Sequence, residues 1–113
     1  KILIAIAMMA SIYGCGGGGS HAPTTFTFNV VNNSGTTVNE FYLSPSTDLS
    51  WGPDRFTTDL APGSTRSITG VAPCGVSFDY LAINGTYASP VVWWGPGTSM
   101  MPGCGGTFTL TLT

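Results

Sequence analysis

Thr25-Phe26-Thr27-Phe28-Asn29-Val30, near the front of the chain, and Thr107-Phe108-Thr109-Leu110-Thr111-Leu112-Thr113, at its end, alternate polar and apolar side chains. Successive side chains of a strand point to opposite faces, so a period of two marks a half-buried strand. The alternation puts Phe26, Phe28, Phe108 and Leu110 on one inward face and leaves the threonines to solvent. The two segments are expected to lie near each other in an all-β fold.

Between them the chain reads as strands and turns, with no helical period and no internal repeat. A second strand is expected over Val38–Leu43, with Phe41 and Leu43 on one face and Glu40 and Tyr42 on the other. A third is expected over Ser64–Val71. Gly75–Ile83 and Thr86–Trp94 flank Asn84-Gly85, a dipeptide that suits a two-residue hairpin turn because both turn residues need positive φ. Asn32-Asn33-Ser34-Gly35 and Ala61-Pro62-Gly63 carry turn chemistry, and Ser44–Asp59 and residues 95–105 are expected to be loops. Six to seven short strands at regular spacing predict a small antiparallel β-sandwich, Ig-like, as one domain over residues 25–113.

Composition supports a folded domain and excludes several partners. Six Phe, four Tyr and three Trp can build a core, which disordered chains cannot. Only 7% of residues are charged, the net charge is −2, and Arg55 and Arg66 are the only basic residues after Lys1. Without a basic face there is no electrostatic footprint for nucleic acid.

Residues 1–20 have a different character. Lys1 is followed by an apolar run from Ile2 to Tyr13, then by Gly14-Cys15 and the tract Gly16–Ser20. A helix of about twelve residues spans about 18 Å, short of the roughly 30 Å hydrocarbon core, but it suits the apolar segment of a signal peptide. Ile12-Tyr13-Gly14-Cys15 resembles a bacterial lipobox, with Tyr13 where a small side chain is usual. The resemblance implies a leader over residues 1–14, cleavage before Cys15, lipid on the Cys15 thiol and a tether over residues 15–24. No Met precedes Lys1, so the sequence is expected to begin inside the leader. An exported, lipid-anchored protein of the bacterial cell envelope is the expectation, with Gly16 after the cysteine favouring the outer membrane. An uncleaved apolar segment acting as a strand donated to a neighbouring subunit is the alternative.

Three cysteines leave one over after pairing. Lipid on Cys15 leaves Cys74 and Cys104, which can form a disulfide in an oxidising compartment. Zinc is the rival use, for which two cysteines without a nearby histidine fall short of four ligands.

The succession Asn33-Ser34-Gly35, Val38, Phe41-Tyr42-Leu43-Ser44-Pro45-Ser46, Trp51-Gly52-Pro53-Asp54 and Leu60-Ala61-Pro62-Gly63-Ser64 is similar to a group of small exported bacterial β-proteins. Cys74 with Phe78-Asp79-Tyr80-Leu81-Ala82 resembles that group's Cys-x-Tyr-Asp-Leu-Arg-Ala strand, with Leu81 where the group has Arg. Cys104 falls where a second cysteine sits. The resemblance covers residues 33–113 and implies the fold and an exported location, with no assigned activity.

Catalytic constellations are mostly excluded. His21, the only histidine, lies at the end of the tether, so a Ser-His-Asp or Cys-His arrangement lacks its base. Asp48, Asp54 and Asp59 are weak candidates for a cation, but their spacing matches no recognised calcium loop. Asp in a loop more often bonds nearby backbone N–H groups. No enzyme activity and no cofactor are expected.

The large rings carry the remaining signal. Trp51, Tyr87, Trp93 and Trp94 are candidates for stacking on a sugar ring or a partner protein, against a reading in which they cap the sandwich. Adjacent Trp93 and Trp94 must point to opposite faces of a strand, so one enters the core and one approaches solvent. Three functions follow as expectations. The first is a non-enzymatic envelope lipoprotein with a binding or structural module, whose partners are the membrane, through its anchor, and a glycan or envelope protein. The second is a carbohydrate-binding module. The third is a filament subunit that self-associates by strand pairing.

Overall fold

The computed structural model describes residues 22–96 and 98–113. The expected leader, Cys15 and the tether up to His21 lie outside the described residues. Among the described residues seven strands follow one another: β1 (Phe26–Asn32), β2 (Glu40–Pro45), β3 (Thr65–Val71), β4 (Phe78–Gly85), β5 (Pro90–Trp94), β6 (Ser99–Met100) and β7 (Thr107–Leu112). They form two sheets. One has the order β3-β1-β7, and the other runs β2-β4-β5, with β6 beside the first residues of β4. The small all-β domain expected from the alternation is the fold observed.

The core lies between the sheets, where period two places it. Phe26, Phe28 and Val30 of β1 are buried, facing Phe41 and Leu43 of β2 and Phe78, Tyr80 and Ala82 of β4. Phe108 and Leu110 of β7 pack against this cluster from the side. The rings meet edge to face or offset. Phe26 and Phe78 have centroids 5.2 Å apart, Phe28 and Phe108 5.5 Å, and Phe41 and Phe56 5.2 Å. Such pairs add to the burial of their area, and Phe26–Phe78, between β1 and β4, holds one sheet against the other.

Four features differ from the expected layout. First, β1 pairs β7 in parallel, with Phe28 opposite Phe108 and Val30 opposite Leu110, while every other strand pair is antiparallel. An alternating pattern is the same read in either direction, so it carries no information on strand sense. Second, the β4–β5 hairpin turns at Thr86–Ser89, whose end residues exchange backbone hydrogen bonds, and not at Asn84-Gly85. Asn84 is held inside β4, donating from Nδ2 to the Thr37 carbonyl at 2.7 Å. Gly85 uses its positive φ of 106° where the ladder shifts register. That is the role of a glycine at a β-bulge. Third, the loop expected over residues 95–105 contains β6. Fourth, Val38 lies outside β2 and bridges Leu60, and β4 begins at Phe78.

A second, smaller cluster covers the outer face of the four-stranded sheet. Tyr42, Trp51, Leu81 and Ile83 are buried there, with Tyr87 packed on them. Leu81-Ala82-Ile83 is therefore apolar without alternation because β4 is covered on both faces.

The sandwich has two distinct poles. At one, Cys74 and Cys104 form a disulfide with Cα atoms 4.9 Å apart. The described chain enters at this pole, where Gly105 donates to the Thr25 carbonyl and Thr27 to that of Gly106. At the other pole lie the ends of β1 and β4, the β4–β5 turn and the loop before Leu60. β4 alone, at about 3.3 Å per residue, separates the poles by roughly 25 Å.

Candidate functional site

The pole away from the disulfide is built around Asn32. Its side chain is fully buried, and a buried amide needs partners for both its donor and its acceptor. Nδ2 donates to the carbonyls of Thr36 (2.7 Å) and Leu60 (3.0 Å), and Oδ1 accepts from the Ser34 N–H and hydroxyl. This ties the end of β1 to both approaching loops. Asn39 Oδ1 accepts from the Gly85 N–H at 2.7 Å, closing the pole against β4.

Over this frame lies an open cleft of about 480 Å³. Asn39, Glu40, Asp54, Thr57, Thr58, Asp59 and Thr86 line it, with buried Phe56 and the bulge glycine Gly85. Its polar groups are mostly held. Asp54 Oδ1 accepts from the backbone N–H groups of Phe41 and Phe56, both at 2.9 Å. Burial pushes the Asp54 carboxyl above the ordinary carboxylate range, against the lowering effect of those two hydrogen bonds. Glu40 Oε1 accepts from the Tyr42 hydroxyl (2.6 Å) and the Tyr87 N–H (3.1 Å). Burial first, then the Glu40 carboxylate, pushes the Tyr42 hydroxyl above the usual phenol range, so it stays a donor. Arg66 donates to the carbonyls of Thr58 and Asp59 and to the Thr58 hydroxyl, and its guanidinium lies 4.8 Å from the centre of the Phe56 ring.

Beside the cleft, and joined to it through Glu40 and Thr86, Tyr87 and Trp93 form an aromatic shelf. Their ring centroids are 6.0 Å apart with planes at 51°. Tyr87 meets Tyr42 edge to face at 5.9 Å, which braces it from behind. Trp93 remains 42% exposed.

The four aromatic candidates are thus divided. Trp51 is buried under the outer face of the sheet and offers no ring to a ligand. Trp94 turns toward the main core and donates from Nε1 to the Thr113 carbonyl at 3.2 Å. Trp93 takes the opposite, solvent side, as adjacent residues of a strand must. Tyr87 and Trp93 are the pair that the structure brings together.

The three aspartates are also separated. Asp54 and Asp59 line the cleft, whereas Asp48 lines a smaller cavity of about 90 Å³ with Arg55, Ser50 and Trp51. Among the described residues no three His, Cys, Asp or Glu side chains are grouped to hold a metal ion. Asp54 bonds the N–H two residues ahead, the loop behaviour expected of it. Cys74 and Cys104 are joined to each other, which excludes them as zinc ligands.

Glu40 and Thr86 gave little sign of their place. Glu40 reads as the polar face of a strand and Thr86 as the start of one, and only the turn at Thr86–Ser89 brings them together. No protein-family model, curated protein or solved structure matches the chain.

Proposed function

We propose that the protein is an exported, lipid-anchored and non-enzymatic binding module of the bacterial cell envelope, with residues 1–14 as leader and Cys15 as the anchor. One observation carries the reading. The described chain enters at the disulfide pole, while the open cleft and the Tyr87–Trp93 shelf lie at the opposite pole, facing away from a membrane reached through the tether. The only histidine precedes the first strand, and the oxygens of Asp54 and Glu40 that accept hydrogen bonds hold the frame, which supports binding over catalysis. Mass spectrometry of the protein from its native envelope tests the anchor. The expected species begins at Cys15 and carries acyl chains; an unmodified Cys15 with residues 1–14 attached overturns it.

A second reading, assembly by strand pairing, is favoured by β5. This strand lies at the edge of its sheet with Val91 76% exposed and no charged residue along it. An apolar edge with only a proline at its start is a template for pairing with another chain.

A further inference from the structure

We infer that the Tyr87–Trp93 shelf and the adjoining cleft bind a neutral oligosaccharide, an inference that rests on reading this pole as the binding surface. A sugar ring presents an apolar C–H face edged by hydroxyls, so its site needs an exposed aromatic face beside closely placed donors and acceptors. Both are present. Trp93 keeps 42% of its surface open, and Tyr87 is fixed in place by the Tyr42 ring behind it and by its N–H bond to Glu40. Next to this shelf Asn39, Glu40, Thr58 and Thr86 line the cleft with amide, carboxylate and hydroxyl groups. The cleft's volume of about 480 Å³ falls within the roughly 300–1,000 Å³ of small-ligand sites.

Charge narrows the class of sugar. Glu40, Asp54 and Asp59 all line the cleft, and the nearby cation, Arg66, is engaged by the Thr58 and Asp59 carbonyls and the Phe56 ring. Uronic acids and phosphorylated sugars are therefore repelled. A quaternary ammonium ligand would be drawn by rings and carboxylates together, but its recognition uses an enclosing box of rings. Here two rings form an open, tilted shelf, which suits the flat face of a sugar.

The test is calorimetric titration of the full chain with six-unit oligosaccharides of glucose, xylose, mannose and N-acetylglucosamine. Oligogalacturonate serves as the anionic probe and choline as the cationic one. At least one neutral oligosaccharide is expected to bind and both charged probes to fail. Trp93→Ala should weaken binding about tenfold or more, while Trp93→Tyr, which keeps a ring, stays within about threefold. Circular dichroism of each variant establishes that the fold is intact. The proposal is overturned if no neutral oligosaccharide binds, if a charged probe binds in their place, or if folded Trp93→Ala binds like the parent. The state of Cys15 is read separately: an acylated protein that binds no sugar sinks this inference alone, and a sugar-binding protein with unmodified Cys15 sinks only the anchor.

Discussion

The two edges of the four-stranded sheet are finished in opposite ways. Along β2, the Phe41 N–H donates to Asp54, the Phe41 carbonyl accepts from the Arg55 N–H, and the Leu43 carbonyl accepts from Arg55 Nη2. The loop after Trp51 thereby stands in for a missing neighbour strand. Within that cover, the buried Nε of Arg55 has no hydrogen-bond acceptor among the described residues. Among the described residues nothing gives β5 such cover: Val91, Val92 and Trp93 are exposed, and Pro90 stands at the start of the strand. Among the described residues, Glu40, Asp54 and Arg55 put three charged side chains at the β2 edge, whereas β5 itself carries none. The closed edge is part of the frame of the cleft, and the open one is available for contact.

The largest effect is expected where the open side is clamped. The disulfide ties the segment after β6 to the segment after β3, closing a loop with a sequence separation of 30. Replacing Cys74 and Cys104 together by Ser should lower stability by about 3–4 kcal/mol, read as a fall in the urea midpoint.

At the closed edge, Asp54→Ala leaves two N–H groups without their acceptor and should cost about 1–2 kcal/mol. Asp54→Asn, whose amide oxygen can accept both bonds, should cost less than about 1 kcal/mol. The pair also has a pH signature. A carboxyl whose folded pKa is raised contributes stability that is fully present below its unfolded pKa and is lost as pH rises through the folded value. Urea titrations just above the ordinary aspartate range should therefore show stability falling as pH rises in the parent, and that component absent in Asp54→Asn. Equal slopes in the two proteins would show that Asp54 is not the group responsible.

The smallest effect on stability, within about 0.5 kcal/mol, is expected for Val91→Lys at the open edge. Its consequence should appear in association: sedimentation of the parent should show concentration-dependent self-association that the lysine suppresses. Undiminished association in Val91→Lys would move the contact away from β5.

This contrast was only partly legible in the sequence. The strands were, because period two is imposed by backbone geometry and needs no knowledge of the partner; β1, β3 and β7 appear within a residue or two of their expected places. The burial of Phe26 and Phe28 and the split of Trp93 from Trp94 follow from the same geometry. What could not be read locally was what each loop would lie against. Trp51 sits in a loop rich in Gly and Pro and looks available, yet the loop folds over Leu81 and Ile83 and buries it. Asp54 reads as a turn residue, and half of its role is to serve Phe41, thirteen positions away. Asn84-Gly85 has turn chemistry, but Asn39 and Thr37, brought in alongside by β2, hold it within β4 as a bulge.

The parallel pairing of β1 with β7 has a mechanical consequence. β1 starts at the disulfide pole, and its register with β7 runs from Thr27 opposite Thr107 to Asn32 opposite Leu112. A pull between the entering chain at Ala22 and Thr113, at the end of β7, therefore acts along both strands. The hydrogen bonds joining them are then loaded sideways and share the force, instead of being peeled one after another from an end. The same two alternating stretches that build the core would thus resist such a pull as a single lap joint.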